Sequence, residues 1–306
     1  MERLKIAVAP EQADWAAEAI RNGGGKPVTL DDEPSGLVWT APGAVQELAD
    51  ALKAHPDISW VQLPMAGVER IAAAGVFDHE RHWTSAKGAY AEPVAEHALA
   101  LLLAGLRQLP ERARARSWGE QAGETLFDQP VTIVGAGGIT AALMRLLEPF
   151  RAQVTVVRRS AEPVAGAVRT VATAQLHETL AGARAVVLTL ALTPDTRGLI
   201  GAAELALMDR KAWLVNVARG ALVDTTALAE ALRSAQLGGA ALDVTDPEPL
   251  PDGHPLWDLP NCLITPHTAD TEEMTEPLLA ARITENVRRL AARQELEGLV
   301  DPDLGY

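Results

Sequence analysis

Short apolar runs alternate with amphipathic stretches in the first third of the chain. The runs Leu4–Ala9, Leu37–Thr40 and Ile58–Leu63 predict buried strands, and the stretches Gln12–Arg21 and Val45–His55 predict helices between them. Strands that alternate with helices in this way are typical of a parallel sheet with crossover connections. The pattern therefore predicts a small doubly wound α/β domain in this third.

The same alternation restarts after residue 130 and continues for longer. Apolar runs predict strands at Val131–Val134, Val154–Val157, Ala185–Leu190, Trp213–Val217, Gly239–Asp243 and Leu263–Thr265. The clearest helices between them are predicted at Ile139–Leu147, 202–208 and Ala227–Ala235. Six parallel strands with helical crossovers are enough for a complete dinucleotide-binding domain.

Two segments separate these two regions. A long helix is predicted over Val94–Gln108, opened by Pro93 and ended by Pro110, because proline suits the first turn of a helix and interrupts its interior. Residues 111–129 are charged and contain glycine, which predicts an extended surface arm.

The C-terminal segment Glu272–Arg293 is again predicted to be helical, and we expect it to pack back on the first domain. The first domain would then be discontinuous, formed by residues 1–93 and 272–306. The second domain, residues 94–271, would be an insertion in it.

Charge and cysteine content narrow the classes of partner. With 27 basic and 41 acidic residues, the formal net charge is −14, which disfavours nucleic acid and anionic membranes as partners.

Cys262 is the only cysteine, so no intrachain disulfide is expected and a reducing cytoplasm fits best. The N-terminal residues lack the apolar run of a signal peptide, and no apolar stretch is long enough for a membrane span. A soluble cytoplasmic protein is therefore expected.

A glycine turn follows the first strand of the second domain. Gly135 would allow a tight turn, and Gly137 would let backbone N–H groups approach a pyrophosphate at the start of the next helix, near Gly138 and Ile139. The third glycine of the usual fingerprint is replaced by Thr140. The turn alone is a weak signal, but a strand before it and a helix after it favour a dinucleotide site.

The next strand bears on the choice of coenzyme. An NAD site usually has an acidic residue at the end of this strand, where it binds the ribose hydroxyls. Here the strand ends in Arg158, Arg159 and Ser160, and arginine is well suited to a 2′-phosphate. A solvated basic pair is the simpler explanation, but the position favours NADP(H) over NAD(H).

Three polar residues follow three strands of the same domain. Arg219, Glu248 and His267 would gather at the carboxyl edge of the sheet, where open α/β sheets bind ligands. A protonated histidine can deliver a proton to a carbonyl oxygen that receives negative charge, and a carboxylate favours and orients that histidine. An arginine can bind a substrate carboxylate with two hydrogen bonds. The set therefore suits the reduction of a keto acid.

Each of these residues alone could be an ordinary loop residue, and it is their joint placement that favours redox chemistry. Metal binding is disfavoured because none of the seven histidines are paired at i, i+4 helical spacing and no cysteine pair exists. A serine hydrolase would need a Gly-x-Ser-x-Gly turn, which the chain lacks.

The chain resembles the D-isomer-specific 2-hydroxyacid dehydrogenases. The matching segments, in the family's order, are Val94–Leu103, the Gly135 turn, Leu192–Ile200, Leu214–Gly220, Ala241–Val244 and Thr265–His267. The resemblance is specific from about residue 60 to 270. It implies a Rossmann dinucleotide-binding domain inserted in a flavodoxin-like substrate domain, with the active site in the cleft between them.

The resemblance also implies roles for individual residues. Arg219, Glu248 and His267 would carry the catalytic roles, with Arg219 also binding substrate, and Asp243 would lie near the nicotinamide carboxamide. The backbone amides of Ala66, Gly67 and Val68 would receive the substrate carboxylate. A homodimer is expected, with the helix near 94–108 and the following arm at its interface.

Two departures from the family pattern stand out, Thr140 in the glycine turn and Thr84-Ser85 where many relatives have an asparagine beside the cleft. Arg158-Arg159 resembles the NADP-using glyoxylate/hydroxypyruvate reductase branch. The predicted function is hydride transfer between NADP(H) and a small 2-keto or 2-hydroxy acid of D configuration. A dinucleotide-sensing binding protein and a formate- or phosphite-oxidising relative are the alternatives, and the physiological substrate stays open.

Overall fold

The computed structural model describes residues 3–305. The chain divides into two compact units. The first combines the chain up to Tyr90 with the segment from Thr271 onward, and the second is Ala91–Asp270.

The first unit contains a five-stranded parallel sheet in the order β2-β1-β3-β4-β5. The strands are β1 (Lys5–Ala9), β2 (Lys26–Val28), β3 (Gly36–Trp39), β4 (Trp60–Gln62) and β5 (His82–Thr84). The helices in its N-terminal part are α1 (Asp14–Asn22), α2 (Val45–Ala54) and α3 (Glu69–Ala73). This strand order is that of flavodoxin-like sheets, and β1, β3 and β4 are the strands predicted from the sequence.

The second unit contains a seven-stranded parallel sheet in the order β12-β11-β10-β9-β6-β7-β8. The strands are β6 (Pro130–Val134), β7 (Gln153–Arg158), β8 (Arg169–Ala172), β9 (Ala185–Leu188), β10 (Trp213–Asn216), β11 (Gly239–Leu242) and β12 (Cys262–Ile264). The helices are α4 (Ala91–Leu106), α5 (Leu109–Arg114), α6 (Gly138–Leu147), α7 (Leu176–Leu180), α8 (Ala202–Leu207) and α9 (Thr225–Arg233). The strand order reverses between β6 and β9, as in doubly wound dinucleotide-binding sheets. The predicted α/β class with two doubly wound parallel sheets is confirmed.

The predicted extended arm after α4 is partly wrong. Leu109–Arg114 forms α5, because proline near its start and alanine, glutamate and arginine within it are compatible with a helix. The residues after it, as far as the turn before β6, contain neither helix nor strand, and Trp118 there is 96% exposed.

The C-terminal helix α10 (Glu272–Ala292) belongs to the first unit and packs against α1. The hydroxyl of Thr284 donates to the Ala19 carbonyl at 3.1 Å. The fully buried Asn286 donates through Nδ2 to Gln62 Oε1 on β4 at 3.0 Å. The predicted tail helix is confirmed, and its polar contacts tie it to both the sheet and a helix of this unit.

Among the helices of residues 3–305, none has both the length and the apolar character needed to cross a bilayer.

Candidate active site

The glycine turn leaves the carboxyl end of β6 and enters α6. Gly135 has a φ of +123°, and a Cβ there would lie 2.5 Å from the Thr189 hydroxyl, so the turn requires glycine. Gly137 is the N-cap of α6, and a Cβ there would meet no atom within 4 Å. The space beside Gly137 is therefore open next to the start of α6 at Gly138 and Ile139, as the approach of a pyrophosphate to the first N–H groups of a helix requires. The residues present fit a dinucleotide.

Arg158 is the last residue of β7, next to β6 in the sheet. Its guanidinium lies 3.0 Å from the Glu162 carboxylate, and its side chain is 31% exposed. Arg159 and Ser160 follow, and both are exposed. Two arginines thus stand at the strand end adjacent to the glycine turn, the first of them paired with a carboxylate. Their contact with a 2′-phosphate stays a prediction.

The turn that carries Arg219 is fixed by a buried side chain of β10. Asn216 is 1% exposed; its Oδ1 accepts the Ala218 N–H at 3.0 Å and its Nδ2 donates to the Arg219 carbonyl at 2.9 Å. A Cβ on Gly220 would lie 1.9 Å from the Thr245 carbonyl oxygen. Because of this close approach, the Arg219 turn packs directly on the segment between β11 and Glu248.

Glu248 and His267 are in direct contact. His267 Nδ1 lies 2.6 Å from Glu248 Oε1, and the two side chains are 44% and 41% exposed. His267 has a φ of +49°, and its N–H donates to the Asp243 carbonyl at 2.8 Å. The carboxylate orients the ring through Nδ1 and leaves Nε2 for a reacting group. This pairing was predicted from the sequence.

Asp243 anchors the turn that carries His267. Its side chain is 1% exposed, and its carboxylate accepts hydrogen bonds from the Thr265 hydroxyl at 2.6 Å and from the N–H groups of Thr268 and Ala269 at 2.9 and 3.1 Å. Burial raises the pKa of Asp243, but hydrogen bonds from His97, Thr265 and this backbone outweigh burial and lower the pKa to about 2. The predicted contact of Asp243 with the nicotinamide stays a prediction.

His97 on α4 completes this anchor. Its Nε2 lies 3.0 Å from the Thr265 hydroxyl oxygen and 3.3 Å from Asp243 Oδ1. Because the Thr265 hydroxyl donates its hydrogen to Asp243, His97 Nε2 must carry a hydrogen to bond the same oxygen. In the sequence this helix is only part of the family resemblance, and no periodicity or motif indicates that His97 reaches the turn before His267.

Asp270 is a second residue that sequence reasoning missed. Burial, the largest influence, raises the pKa of Asp270. The charge of His267 lowers the pKa, the Asp243 carboxylate raises it and Arg219 lowers it, and the net pKa is raised above its ordinary value. Its carboxyl group therefore lies within electrostatic range of two of the three predicted catalytic residues. Its place three residues after His267 was the only available signal.

The predicted substrate loop lies in the first unit, between β4 and α3. Ala66 is exposed, Gly67 is half-buried and Val68 is buried, with the Val68 carbonyl accepting the first hydrogen bonds of α3. Its role in binding a carboxylate stays a prediction. Thr84 is fully buried, and its hydroxyl accepts from Trp60 Nε1 at 2.9 Å, so its hydrogen bonding serves the core of the first unit.

Within residues 3–305, no three His, Cys, Asp or Glu side chains gather as a metal ion would require. Cys262 is buried, and burial raises the pKa of its thiol to about 12. A thiol in that state is a poor nucleophile.

Comparison with known proteins gives consistent matches. Residues 97–269 match the model of the NAD-binding domain of D-isomer-specific 2-hydroxyacid dehydrogenases. An uncharacterised protein of Corynebacterium melassecola is 37% identical over 294 residues, which is 94% of this chain and 95% of that protein. A glyoxylate reductase/hydroxypyruvate reductase of Mus musculus is 34% identical over 223 residues, 69% of this chain and 68% of that enzyme.

A solved structure is similar over the whole length. The D-isomer-specific 2-hydroxyacid dehydrogenase of Xanthobacter autotrophicus, determined in complex with NADPH and MES, has a TM-score of 0.86 at 28% identity and covers 100% of both chains.

Proposed function

Because this chain belongs to the D-isomer-specific 2-hydroxyacid dehydrogenases, a family of nicotinamide-dependent oxidoreductases, we propose that it transfers hydride between NADP(H) and a small 2-keto or 2-hydroxy acid. The observation that carries the proposal is the 2.6 Å contact between His267 and Glu248. This acid–base pair lies in the same unit as the glycine turn and follows strands of the same sheet. A sensor of dinucleotides would need neither an acid nor a carboxylate clamp.

NADP(H) is proposed as the preferred coenzyme. Arg158 and Arg159 supply two positive charges at the end of β7, and a guanidinium matches the geometry of a phosphate. The similar Xanthobacter structure contains NADPH, which supports the same preference here. Gly135, Gly137, Gly138 and Ile139 would hold the pyrophosphate, and Asp243 is proposed to lie near the nicotinamide.

The bound coenzyme supplies or accepts the hydride, and the protein's own residues manage the charge and the proton. As negative charge grows on the carbonyl oxygen, the imidazolium of His267 donates a proton to it from Nε2. Glu248 holds the ring through Nδ1 and stabilises its positive form. Arg219 binds the substrate carboxylate and polarises the carbonyl. In the oxidative direction His267 accepts the proton of the hydroxyl group.

Glyoxylate and hydroxypyruvate are the proposed substrates. The murine relative is named as a reductase of these two small acids, and its 34% identity supports them as the first candidates to test. The backbone amides of Ala66, Gly67 and Val68 are proposed as a further contact for the substrate carboxylate. Assembly as a homodimer in the cytoplasm is part of the same proposal.

The first test is the loss of reduced-nicotinamide absorbance with NADPH and NADH in parallel against glyoxylate, hydroxypyruvate, pyruvate and bulkier 2-keto acids. We expect turnover that prefers NADPH and the smaller acids. Protein that binds NADPH but reduces none of these acids would contradict the proposed reaction and favour a dinucleotide-sensing role.

Two single substitutions test the proposed roles of His267 and Arg219. We expect His267→Ala to abolish turnover and leave NADPH affinity nearly unchanged, with His79→Ala as control, because His79 is 71% exposed and lies in the first unit. We expect Arg219→Lys to lose most of its turnover as well, because lysine cannot form the bidentate hydrogen bonds that arginine makes with a carboxylate. A normal kcat and KM in either variant would remove that residue from the mechanism.

The coenzyme assignment has its own variant. Arg158→Asp combined with Arg159→Ala should move the ratio of kcat/KM from NADPH towards NADH, because both proposed phosphate ligands are lost. An unchanged ratio would show that other residues select the coenzyme.

A further inference from the structure

Two hydroxyl groups meet beneath the glycine turn of the second unit. Thr140 occupies the position of the third fingerprint glycine and is 1% exposed. Its Oγ1 donates to the Gly135 carbonyl at 2.9 Å and lies 2.9 Å from the Oγ1 of Thr189. Thr189 follows β9, and its Oγ1 is also 3.1 Å from the Val134 carbonyl. The threonine at this position is thus part of a hydrogen-bonded group, in which a glycine could not take part.

The two hydroxyls share two hydrogens among three contacts: the Gly135 carbonyl, the Val134 carbonyl and the contact between the two hydroxyl oxygens, in which either oxygen can be the donor. When Thr140 donates to Gly135, Thr189 donates to Thr140 or to Val134, and the Gly135 carbonyl keeps its donor in both cases. Loss of either hydroxyl leaves a polar group in this buried position with fewer partners, which is costly where water is excluded.

The same bonds connect strands on both sides of the turn. The Gly135 N–H donates to the Val157 carbonyl at 2.8 Å, next to Arg158, and the Thr189 N–H donates to the Val134 carbonyl at 2.8 Å. A continuous hydrogen-bonded path therefore runs from the end of β7, through Gly135 and Thr140, to the residue after β9. This path crosses the point where the strand order reverses.

We propose that Thr140 and Thr189 form a hydroxyl clamp that holds the Gly135 turn in the conformation that binds the coenzyme pyrophosphate. The proposal rests on the proposed use of a nicotinamide dinucleotide. Thr140 and Thr189 are positioning residues: they act through the Gly135 carbonyl and the placement of the α6 N-terminus. Where a third glycine allows close packing of helix and strand, this chain uses a side-chain hydrogen bond to set the same turn.

Replacing Thr140 by valine removes the hydroxyl and keeps the shape and β-branching of the side chain. The turn then samples other conformations, and part of the binding free energy is used to restore the competent one. We expect the Kd for NADPH, measured by calorimetry, to rise roughly tenfold, the size expected when one buried hydrogen bond is lost. The kcat at saturating NADPH and the KM for the keto acid should change little, because the clamp touches neither.

Two further variants at the clamp sharpen the test. Thr140→Ser keeps the donor and should restore a Kd close to that of the wild type. Thr189→Val removes the partner hydroxyl from a less buried position and remains informative if Thr140→Val folds poorly. Because the two threonines share one contact, the combined variant should weaken binding by less than the product of the two single effects.

Thr132→Val is the matched control. Thr132 is 3% exposed on β6, and its hydroxyl donates to the Thr179 carbonyl at 2.7 Å, a buried bond of the same kind away from the turn. We expect this variant to lower Tm as much as Thr140→Val and to leave the Kd for NADPH unchanged. If Thr140→Val and Thr132→Val both lower Tm and both keep the wild-type Kd, the clamp has no role in binding and the proposal is wrong. Wild-type protein that binds neither NADPH nor NADH would instead overturn the proposed function, and the clamp with it.

Discussion

The Glu248 carboxylate both orients the His267 ring and places a negative charge beside it. A glutamine at 248 can still accept a hydrogen bond from Nδ1, so the ring keeps its orientation, but it cannot favour the imidazolium. We expect Glu248→Gln to lower kcat for keto-acid reduction by roughly tenfold to a hundredfold, within the range of general acid catalysis, with a smaller change in KM. Steady-state rates with NADPH test this, with Glu18→Gln on the exposed face of α1 as control. An unchanged kcat would leave Glu248 with an orienting role alone.

Asp243 holds the turn that carries His267, and its carboxylate makes the stability of the fold depend on pH in acid. Its pKa is lowered to about 2 in the folded chain from 3.8, so the deprotonated form stabilises the fold above pH 3.8 and this contribution is lost as the pH falls through 2. Asp243→Asn should therefore lower the free energy of unfolding by about 2 kcal/mol at pH 7. Urea denaturation measures the loss, which should shrink as the pH falls from 4 towards 2. Asp57→Asn, at an exposed position of the first unit, is the control for the substitution itself.

At the scale of elements, helix α4 contributes a side chain that contacts the turn after β12. His97 hydrogen bonds Thr265, two residues before His267, so the loss of His97 should loosen the turn that orients the proposed catalytic ring. We expect His97→Phe to lower kcat roughly tenfold, as for one lost hydrogen bond, and His97→Gln, which keeps a donor at similar reach, to recover most of it. Equal rates in both variants, each correctly folded by circular dichroism, would show that the hydrogen bond of His97 is not needed.

The strands that the sequence did not predict share one physical property. β2 and β5 are the two edges of the first sheet, and β8 is an edge of the second. An edge strand pairs on one side only and is short and more polar, as Lys-Pro-Val, His-Trp-Thr and Arg-Thr-Val-Ala are here, so the apolar run that identifies a central strand is missing. Central strands such as β6 and β10 are buried on both faces, and their sequences predicted them correctly.

The candidate site was predictable to the extent that its residues follow strands directly. His267 and Glu248 follow β12 and β11, so the rule for carboxyl ends of parallel strands brought them together. His97 and Thr189 contribute through three-dimensional contacts between segments far apart in the chain, 168 positions between His97 and Thr265 and 49 between Thr140 and Thr189. No local pattern encodes such pairs.

At the scale of the whole molecule, the second unit is one continuous stretch of chain, whereas the first is formed by two segments that are separated in the sequence. Buried side chains from β6 through β12 form one apolar cluster within residues 91–270. We expect residues 91–270, expressed alone, to unfold cooperatively and to bind NADPH, because the glycine turn, Arg158 and the clamp all lie within it. Turnover should be absent, because the predicted substrate loop 66–68 is missing. Calorimetry and thermal unfolding test the first expectation, and a fragment that is unfolded would contradict it.

The return of α10 to the first unit has a consequence for biosynthesis. Translation releases the N-terminal ninety residues first, then the whole second unit, and only then the helix whose Asn286 bonds Gln62 and whose Thr284 bonds Ala19. At cellular rates of synthesis, roughly ten to forty seconds separate the two parts of the first unit. During that interval β4 and α1 lack the helix that packs on them. The second unit is complete when the interval ends, before α10 has been synthesised, so the nascent protein has the whole chain of its dinucleotide-binding unit before its first unit receives this helix.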